Sequence, residues 1–306
     1  MEINRSLYTT FSHEFEVQRH DDVSCNLCGG ATYTLLGREL DRYEIRECAS
    51  CRLVYVSPQP AAEELPRFYE GMYADTSDSS MAVRSAGAIE GHLQLLIAGR
   101  QPAGGKYLEI GCGAGHLLKK IAELPFELSA IELSEEAAGY ARRAVPKAVI
   151  TSTPIEEAEF PPQSQNCIAM IAVLEHVKDP AAILARLTGW LAPGGTVAIL
   201  VPYIQGYMRV KRFLPWLPIH FEAPRHLFDF SPRTLSHYLS NLGYEDIRFE
   251  IGRPYSANGP IDLALIWTVK LIGLAVFALS GRRYIYPFAG SIVACANKPF
   301  RSARPG

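Results

Sequence analysis

Four cysteines in two close pairs are the first residues able to do chemistry: Cys25-x-x-Cys28 and Cys48-x-x-Cys51, with 19 residues between the pairs. Two such knuckles bring four thiolates to one point, which is the donor set of a tetrahedral zinc site. Four protein ligands close the coordination shell, so the expected ion is structural and not catalytic. Iron is the second candidate, because four thiolates suit it too. Gly29 and Gly30 follow the first knuckle, and the stretch ATYTLLGRELDRYEIRE between the pairs is suited to a short hairpin. A module of roughly 60 residues has a marginal core, and a bound zinc can add about 10–16 kcal/mol to such a fold.

The second constellation is LEIGCGAGHLL, from Leu108 to Leu118. Gly111, Gly113 and Gly115 allow a sharp turn and a close approach of backbone to ligand. A helix following the turn would aim its N-terminus at that ligand. The spacing is not the dinucleotide fingerprint, because the third glycine arrives one residue early and His116 takes its place. Glu109 stands two residues before the turn, where it would repel a pyrophosphate and attract a cation. S-adenosylmethionine, with a sulfonium and an ammonium, has the matching sign. Glu132 follows 21 residues after Gly111, at the end of the next apolar run, where a carboxylate can accept hydrogen bonds from ribose hydroxyls.

These residues need a scaffold, and the flanking pattern supplies one. Apolar strand-like runs at Lys106–Ile110, Glu127–Ile131, Asn166–Val173 and Thr196–Val201 alternate with helical stretches. The helices are expected over Gly115–Glu123, from a Ser134 cap to Val145, and over Pro180–Leu191, with the Pro193-Gly194-Gly195 turn following. Leu235–Leu242, Tyr244–Ile251 and Ser291–Asn297 continue the series, and Met81–Arg100 has helical spacing ahead of it. Such alternation predicts an α/β fold: a Rossmann-like, doubly wound, mostly parallel seven-stranded sheet, preceded by a small β-rich zinc-ribbon module. The expected division is 1–70 for the module, 80–252 with 290–298 for the α/β domain, and 253–289 for an apolar insertion.

The stretch from Tyr107 to Ile251 resembles the class I S-adenosylmethionine-dependent methyltransferases. VLEHVKDP (Val173–Pro180), LAPGG (Leu191–Gly195) and PRHLFDFSPRTLSHYLSNLGY (Pro224–Tyr244) are similar to the branch with ubiquinone-type O-methyltransferases and saccharide-pathway methyltransferases. The resemblance implies that Glu109, Gly111, Gly113 and Gly115 hold the methionine end of the cofactor and Glu132 its ribose. Ile155 would pack on the adenine, and Cys112, Leu133 and Ala172 would complete the binding set. Gln165-Asn166 replaces the usual Phe-Asp, Ala172 replaces a frequent aspartate, and the aspartate often found near Pro154 is missing.

Methyl transfer asks the protein mainly to position reactants and exclude water, since the cofactor brings the reactive group. His176, after the fourth strand, and His226, in the long connection, are the candidate bases, each with an ordinary structural role as its alternative. His220 is a weaker third candidate. Tyr203, Tyr207 and Trp216 could line an aromatic acceptor pocket.

The chain of 306 residues is 48% hydrophobic, enough for one good core plus a small module. A net charge of -2 argues against a general nucleic-acid binder. The seven cysteines are odd in number, and Cys112, Cys167 and Cys295 read as apolar fillers. The polar start lacks the apolar core of a signal peptide, so a reducing, cytoplasmic setting is expected. Ile261–Ser280 is long and apolar, but Asp262 and Lys270 interrupt it and the strand at Gly290–Lys298 must return to the same sheet. A buried lid or interface helix, an interfacial helix in peripheral contact with a membrane and, last, a true span are the three readings for it.

The expected activity is methyl transfer to a hydroxyl of a small molecule: a saccharide, a lipid-linked intermediate or a quinone-like precursor. The alternatives are an RNA methyltransferase and an inactive zinc-ribbon binding protein.

Overall fold

In this computed structural model the described residues are 17–65, 104–213, 220–251, 268, 271–273, 275–280 and 290–300. The helix expected over Met81–Arg100, half of Ile261–Ser280, and Trp216 lie outside them.

The N-terminal part contains β1 (His20–Asp21), β2 (Tyr33–Glu39), β3 (Tyr43–Cys48), β4 (Val54–Ser57) and β5 (Gln59–Pro60). The α/β part follows as β6 (Lys106–Ile110), α1 (His116–Ile121), β7 (Glu127–Ile131), α2 (Glu135–Ala144), β8 (Val149–Thr151) and β9 (Gln165–Ile171). It continues through α3 (Pro180–Trp190), β10 (Leu191–Tyr203), α4 (Gln205–Phe213), β11 (Phe228–Asp229), α5 (Pro232–Asn241), β12 (Glu245–Ile251) and β13 (Gly290–Asn297).

Seven strands form one sheet in the order β12-β13-β10-β9-β6-β7-β8. Pairings among β6 to β10 are parallel, and β13 runs antiparallel to both β10 and β12. The sheet is therefore mostly parallel, as the alternating pattern predicts. Its central strands are apolar on both faces because helices or loops cover each side. Leu108, Ile110, Ile168 and Met170 pack on one face, and Tyr107, Cys167, Ala169 and Cys295 on the other. Cys112 belongs to the second layer as well, so all three unpaired cysteines sit in apolar surroundings.

The chain moves outward from β6 through β7 to β8, then returns to the other side of β6 as β9. That reversal leaves a crevice beyond the carboxyl ends of β6 and β9, where ligands of open α/β sheets bind. The helix starts around it are well capped. Asp179 accepts from the Ala182 amide ahead of Pro180 at the start of α3, and Ser231 and Thr234 form a capping box on α5. Each such cap is worth about 1 kcal/mol.

A second sheet has the order β11-β4-β3-β2. Its outermost strand, β11, comes from the long connection after α4 and pairs antiparallel with β4. Leu53 and Tyr55 share an apolar cluster with Leu108, Ile168 and Leu174 of the α/β part. The β-rich N-terminal part is thus joined to the large sheet by a shared core and by a strand from 228–229.

Several bounds differ from the sequence expectations: β9 ends at Ile171 and not Val173, and α5 starts at Pro232, ahead of Leu235. β10 begins at Leu191, with an irregular register between Leu191 and Thr196, because the Gly194 and Gly195 backbone hydrogen-bonds the main chain of Lys298. α1 is shorter than expected, ending at Ile121. Among the described residues no helix is long and apolar enough to cross a membrane.

Candidate active site and cysteine cluster

The glycine turn lies between β6 and α1. Gly111 has φ +69°, and a Cβ there would stand 2.4 Å from Val173 Cγ2. Both facts require glycine: the left-handed backbone disfavours a side chain, and Val173 leaves no room for one. The same contact shows that the turn after β6 rests against the loop after β9.

Two buried carboxylates frame this turn. Glu109 is buried within β6, where one oxygen accepts the Tyr107 hydroxyl at 3.0 Å. Burial and the nearby Glu109 charge hold the Tyr107 phenol well above its usual range. Glu132, also buried, accepts the Gly113 amide at 2.7 Å on one oxygen and the Ser134 amide at 2.9 Å on the other. The carboxylate ties the glycine turn to the end of β7, and each oxygen keeps a second lone pair for a ligand hydroxyl. Burial raises its pKa, while the backbone donors oppose that shift.

Ile155 is buried in the layer of Ile110 and Ile131, Cys112 is buried, and Leu133 is half-buried. Ala172, directly after β9, adopts φ +53° and donates its amide to the Leu200 carbonyl. A left-handed alanine is uncommon and costs about 1–2 kcal/mol relative to ordinary backbone. The donor set and cradle thus suit an adenosyl cation: a turn that only glycine can make, a buried carboxylate on either side, and an apolar wall.

The loop after β9 carries Glu175 and His176, and His226 comes to meet them from the long connection. The two imidazole rings lie 4.9 Å apart, centroid to centroid. His176 Nδ1 donates to the Arg225 carbonyl at 2.7 Å, and His226 Nδ1 donates to the Phe221 carbonyl at 3.1 Å. Those carbonyls select the tautomer with the proton on Nδ1, so each Nε2 is the basic atom. Burial, followed by the neighbouring His226 and Arg225, pushes the His176 pKa well below its usual value. Burial and then Arg225 lower His226 to about 3. Both rings are neutral near pH 7.

Glu175 is fully buried, and neither carboxylate oxygen has a hydrogen-bond partner among the described residues. Oε1 stands 3.8 Å from His176 Nε2. Burial pushes its pKa up to about 8, with Asp229 and Glu222 raising it further against Arg225. Asp229 is buried beside it and raised to about 7, mainly by burial. Ligand atoms of Glu175, His176 and His226 lie within 4.8 Å of one another, close enough to share a cation. Sequence reasoning singled out His176 and His226 and passed over Glu175. Its signal was an acidic residue inside the apolar run VLEHV.

His220 does not join this group, because its Nδ1 lies 3.8 Å from Glu39 Oε1 instead. Tyr203 is buried in the core, and Tyr207 on α4 is half-buried.

At the cysteine cluster all four sulfurs lie within 4.8 Å of one another. Cys25 and Cys51 Sγ are 3.3 Å apart and Cys28 and Cys48 Sγ are 3.5 Å apart, too far for disulfides. Zn–S bonds of about 2.3 Å in a tetrahedron set sulfurs roughly 3.8 Å apart, so the cluster fits a metal ion after small adjustments. The two knuckles repeat one backbone shape. Gly29 has φ +71° after the first, and Arg52 takes φ +72° at the equivalent place after the second.

Asn26, inside the first knuckle, reaches the α/β part. Its Nδ2 donates to Asp179 at 2.9 Å, and its Oδ1 accepts the Tyr238 hydroxyl at 2.8 Å and the Ala181 amide at 3.2 Å. Lys178 meets Asp21 at 2.5 Å beside it.

A glycine turn and a carboxylate-tipped second strand meet at the switch point of this sheet, the place where open α/β folds hold nucleotide-like ligands. The methyltransferase-domain family model matches residues 85–248, more than half of the chain, and the chain belongs to that family. It is an S-adenosylmethionine-dependent methyltransferase.

The ubiquinone biosynthesis O-methyltransferase of Xanthomonas axonopodis pv. citri (strain 306) is 28% identical over 180 residues, covering 53% of this chain and 73% of that protein. Its counterpart in Azoarcus sp. (strain BH72) is 30% identical over 173 residues, covering 51% of this chain and 68% of that one. Among solved structures, the complex of the Haloferax volcanii Trm112 methyltransferase activator with a methyltransferase gives a TM-score of 0.55 at 14% identity. The match covers 76% of this chain and 97% of the other. The [4+2]-cyclase SpnF gives 0.52 at 15% identity, over 79% of this chain and 98% of its own. At such identity these structures show the fold alone, and one fold can host several chemistries.

Proposed function

We propose that the enzyme methylates a hydroxyl of a small aromatic, quinone-like precursor. The observation that carries this reading is the pair of neutral imidazoles at the edge of the cofactor crevice. Relatives named ubiquinone biosynthesis O-methyltransferase support the acceptor class.

Bound S-adenosylmethionine supplies an electrophilic methyl group for in-line displacement. Glu109, Gly111, Cys112, Gly113 and Gly115 are assigned to its methionine end, Glu132 and Leu133 to the ribose, and Ile155 and Ala172 to the wall beside the adenosyl group. His176 and His226 face the acceptor with Nε2 lone pairs. A hydroxyl becomes far more acidic as its oxygen bonds to carbon, so a weakly basic imidazole suffices to take the proton late in the step. The neutral rings also add no positive charge beside a sulfonium.

The four cysteines are assigned to a structural zinc. Residues 1–70 would form the zinc-binding module, 80–252 with 290–298 the catalytic domain, and 253–289 a lid or membrane-contacting insertion. A cytoplasmic enzyme acting on an apolar acceptor at a membrane surface would fit that insertion. Purified enzyme with methyl-labelled S-adenosylmethionine and fractionated cell extract tests the reading. Label should enter a small phenolic ether, whereas label in RNA or in no product contradicts it.

A further inference from the structure

The segment that carries His226 is held from the N-terminal part by one buried side chain that no motif in the sequence marks. Glu39 closes β2 and is buried. Its Oε1 accepts the Phe221 amide at 2.6 Å and its Oε2 accepts the Ala223 amide at 2.9 Å. The carboxylate spans 182 to 184 residues of sequence to do so. Hydrogen bonds to an ionised acceptor are the short, strong kind, and two on one carboxylate fix orientation as well as distance. Phe221 is fully buried against Ile45, Val54 and Met208, so the gripped residue has nowhere to move.

The same residue orders the histidine. While its N–H is bound by Glu39, the carbonyl of Phe221 accepts from His226 Nδ1, and the Glu222 carbonyl accepts the His226 amide at 3.0 Å. Just downstream the Val56 amide donates to the Leu227 carbonyl, and β11 pairs with β4. The grip therefore runs from Glu39 through Phe221 to the proton on His226.

We infer that Glu39 is a positioning residue: it fixes the Phe221 carbonyl that sets the tautomer and aim of the His226 imidazole, making the N-terminal sheet part of the acceptor side of the active site. This rests on the reading of His226 given under the proposed function. It does not make the module a detachable accessory for capturing substrate.

Glu39→Gln leaves one acceptor oxygen and turns an NH2 group toward a peptide N–H. Its effect is read in two ways on the full-length, metal-loaded protein. By ¹⁵N NMR of the histidine rings, assigned with His226→Ala, the His226 signals should move from the Nδ1–H form toward a tautomer mixture. With 3,4-dihydroxybenzoate and methyl-labelled S-adenosylmethionine, kcat should fall about 10-fold, in the range of lost supporting contacts, while KM for the cofactor changes less than about two-fold.

His226→Ala alone should slow the step about 100-fold. The double variant should be no slower than His226→Ala, because Glu39 acts through that ring. Should Glu39→Gln fail to fold, Glu39→Asp keeps both oxygens on a shorter stem and should show a milder loss, again absorbed in the His226→Ala background. Unmoved His226 ring signals, or a further 10-fold loss in the double variant, overturn the inference. A wild-type rate for His226→Ala overturns the reading of His226 instead, and the NMR result still decides whether Glu39 sets the ring.

Discussion

Glu175 is a carboxyl kept neutral by its surroundings. Its folded pKa, about 8, lies above the value near 4.5 of an exposed glutamate, so the folded protein binds a proton that the unfolded chain has released. That group makes stability fall as pH rises between those values. His176 and His226 act oppositely: their lowered pKa values make stability rise with pH, but only up to about 6.5. Above pH 6.5 the carboxyl dominates, with Asp229 adding to it up to about 7. The expected slope approaches 1.4 kcal/mol per pH unit, or on the order of 2 kcal/mol lost between pH 6.5 and 8. Glu175→Gln cannot ionise and should flatten that loss, as denaturant midpoints across the pH range would show. An unchanged slope would place the titrating group elsewhere. Ala172 illustrates a different lesson at this scale. Its left-handed backbone is one that aspartate or asparagine would tolerate better than alanine does.

The major elements were legible because their signals are local. Apolar runs marked β6, β7, β9 and β10, and the Ser134 cap marked the start of α2, where the Ser134 hydroxyl accepts from the Ala137 amide. β11 was not legible, because two residues have no periodicity and its partner β4 lies some 170 residues away. β8 and β5 are similarly short. Glu39 and Asn26 were invisible for a related reason: an acid at a strand end and an amide in a knuckle read as ordinary surface residues until the topology gives them partners. Asn26 shows what such a partner does to an element. Asp179 caps α3 with Oδ1, and the same atom receives the Asn26 amide. Asp179→Ala should cost about 1 kcal/mol from the lost cap, and Asn26→Ala a similar amount or more, since the Tyr238 hydroxyl and Ala181 amide lose an acceptor. The two losses should be strongly non-additive in a double-mutant cycle. Independent losses would mean the knuckle and the helix start are not coupled.

At the scale of the molecule, the cysteine cluster and the catalytic sheet share one apolar layer. Cys25, Cys48 and Cys51 fall in the same cluster as Leu108, Met170 and Leu235. Removing a metal from the cluster should therefore not merely release a small appendage. With chelator, thermal unfolding should shift downward as one transition, and methyl transfer should fall with it, because β4 holds β11 and β2 supplies Glu39. Two separate transitions, with the cofactor-binding part unaffected, would show that the N-terminal part unfolds by itself.

The cofactor crevice bears the greatest weight, and one carboxylate joins its parts: Glu132 ties the glycine turn to the end of β7 and retains acceptor capacity for a sugar. Calorimetric titration with S-adenosylmethionine, comparing the wild-type protein with Glu132→Ala, measures that directly. The wild-type protein should bind, and the variant should bind about 10- to 100-fold more weakly, as expected for losing charge-assisted hydrogen bonds worth about 1.5–3 kcal/mol. Equal affinity in the two proteins, or no heat of binding in the wild type, would contradict the placement of the adenosyl group beyond β6 and β7.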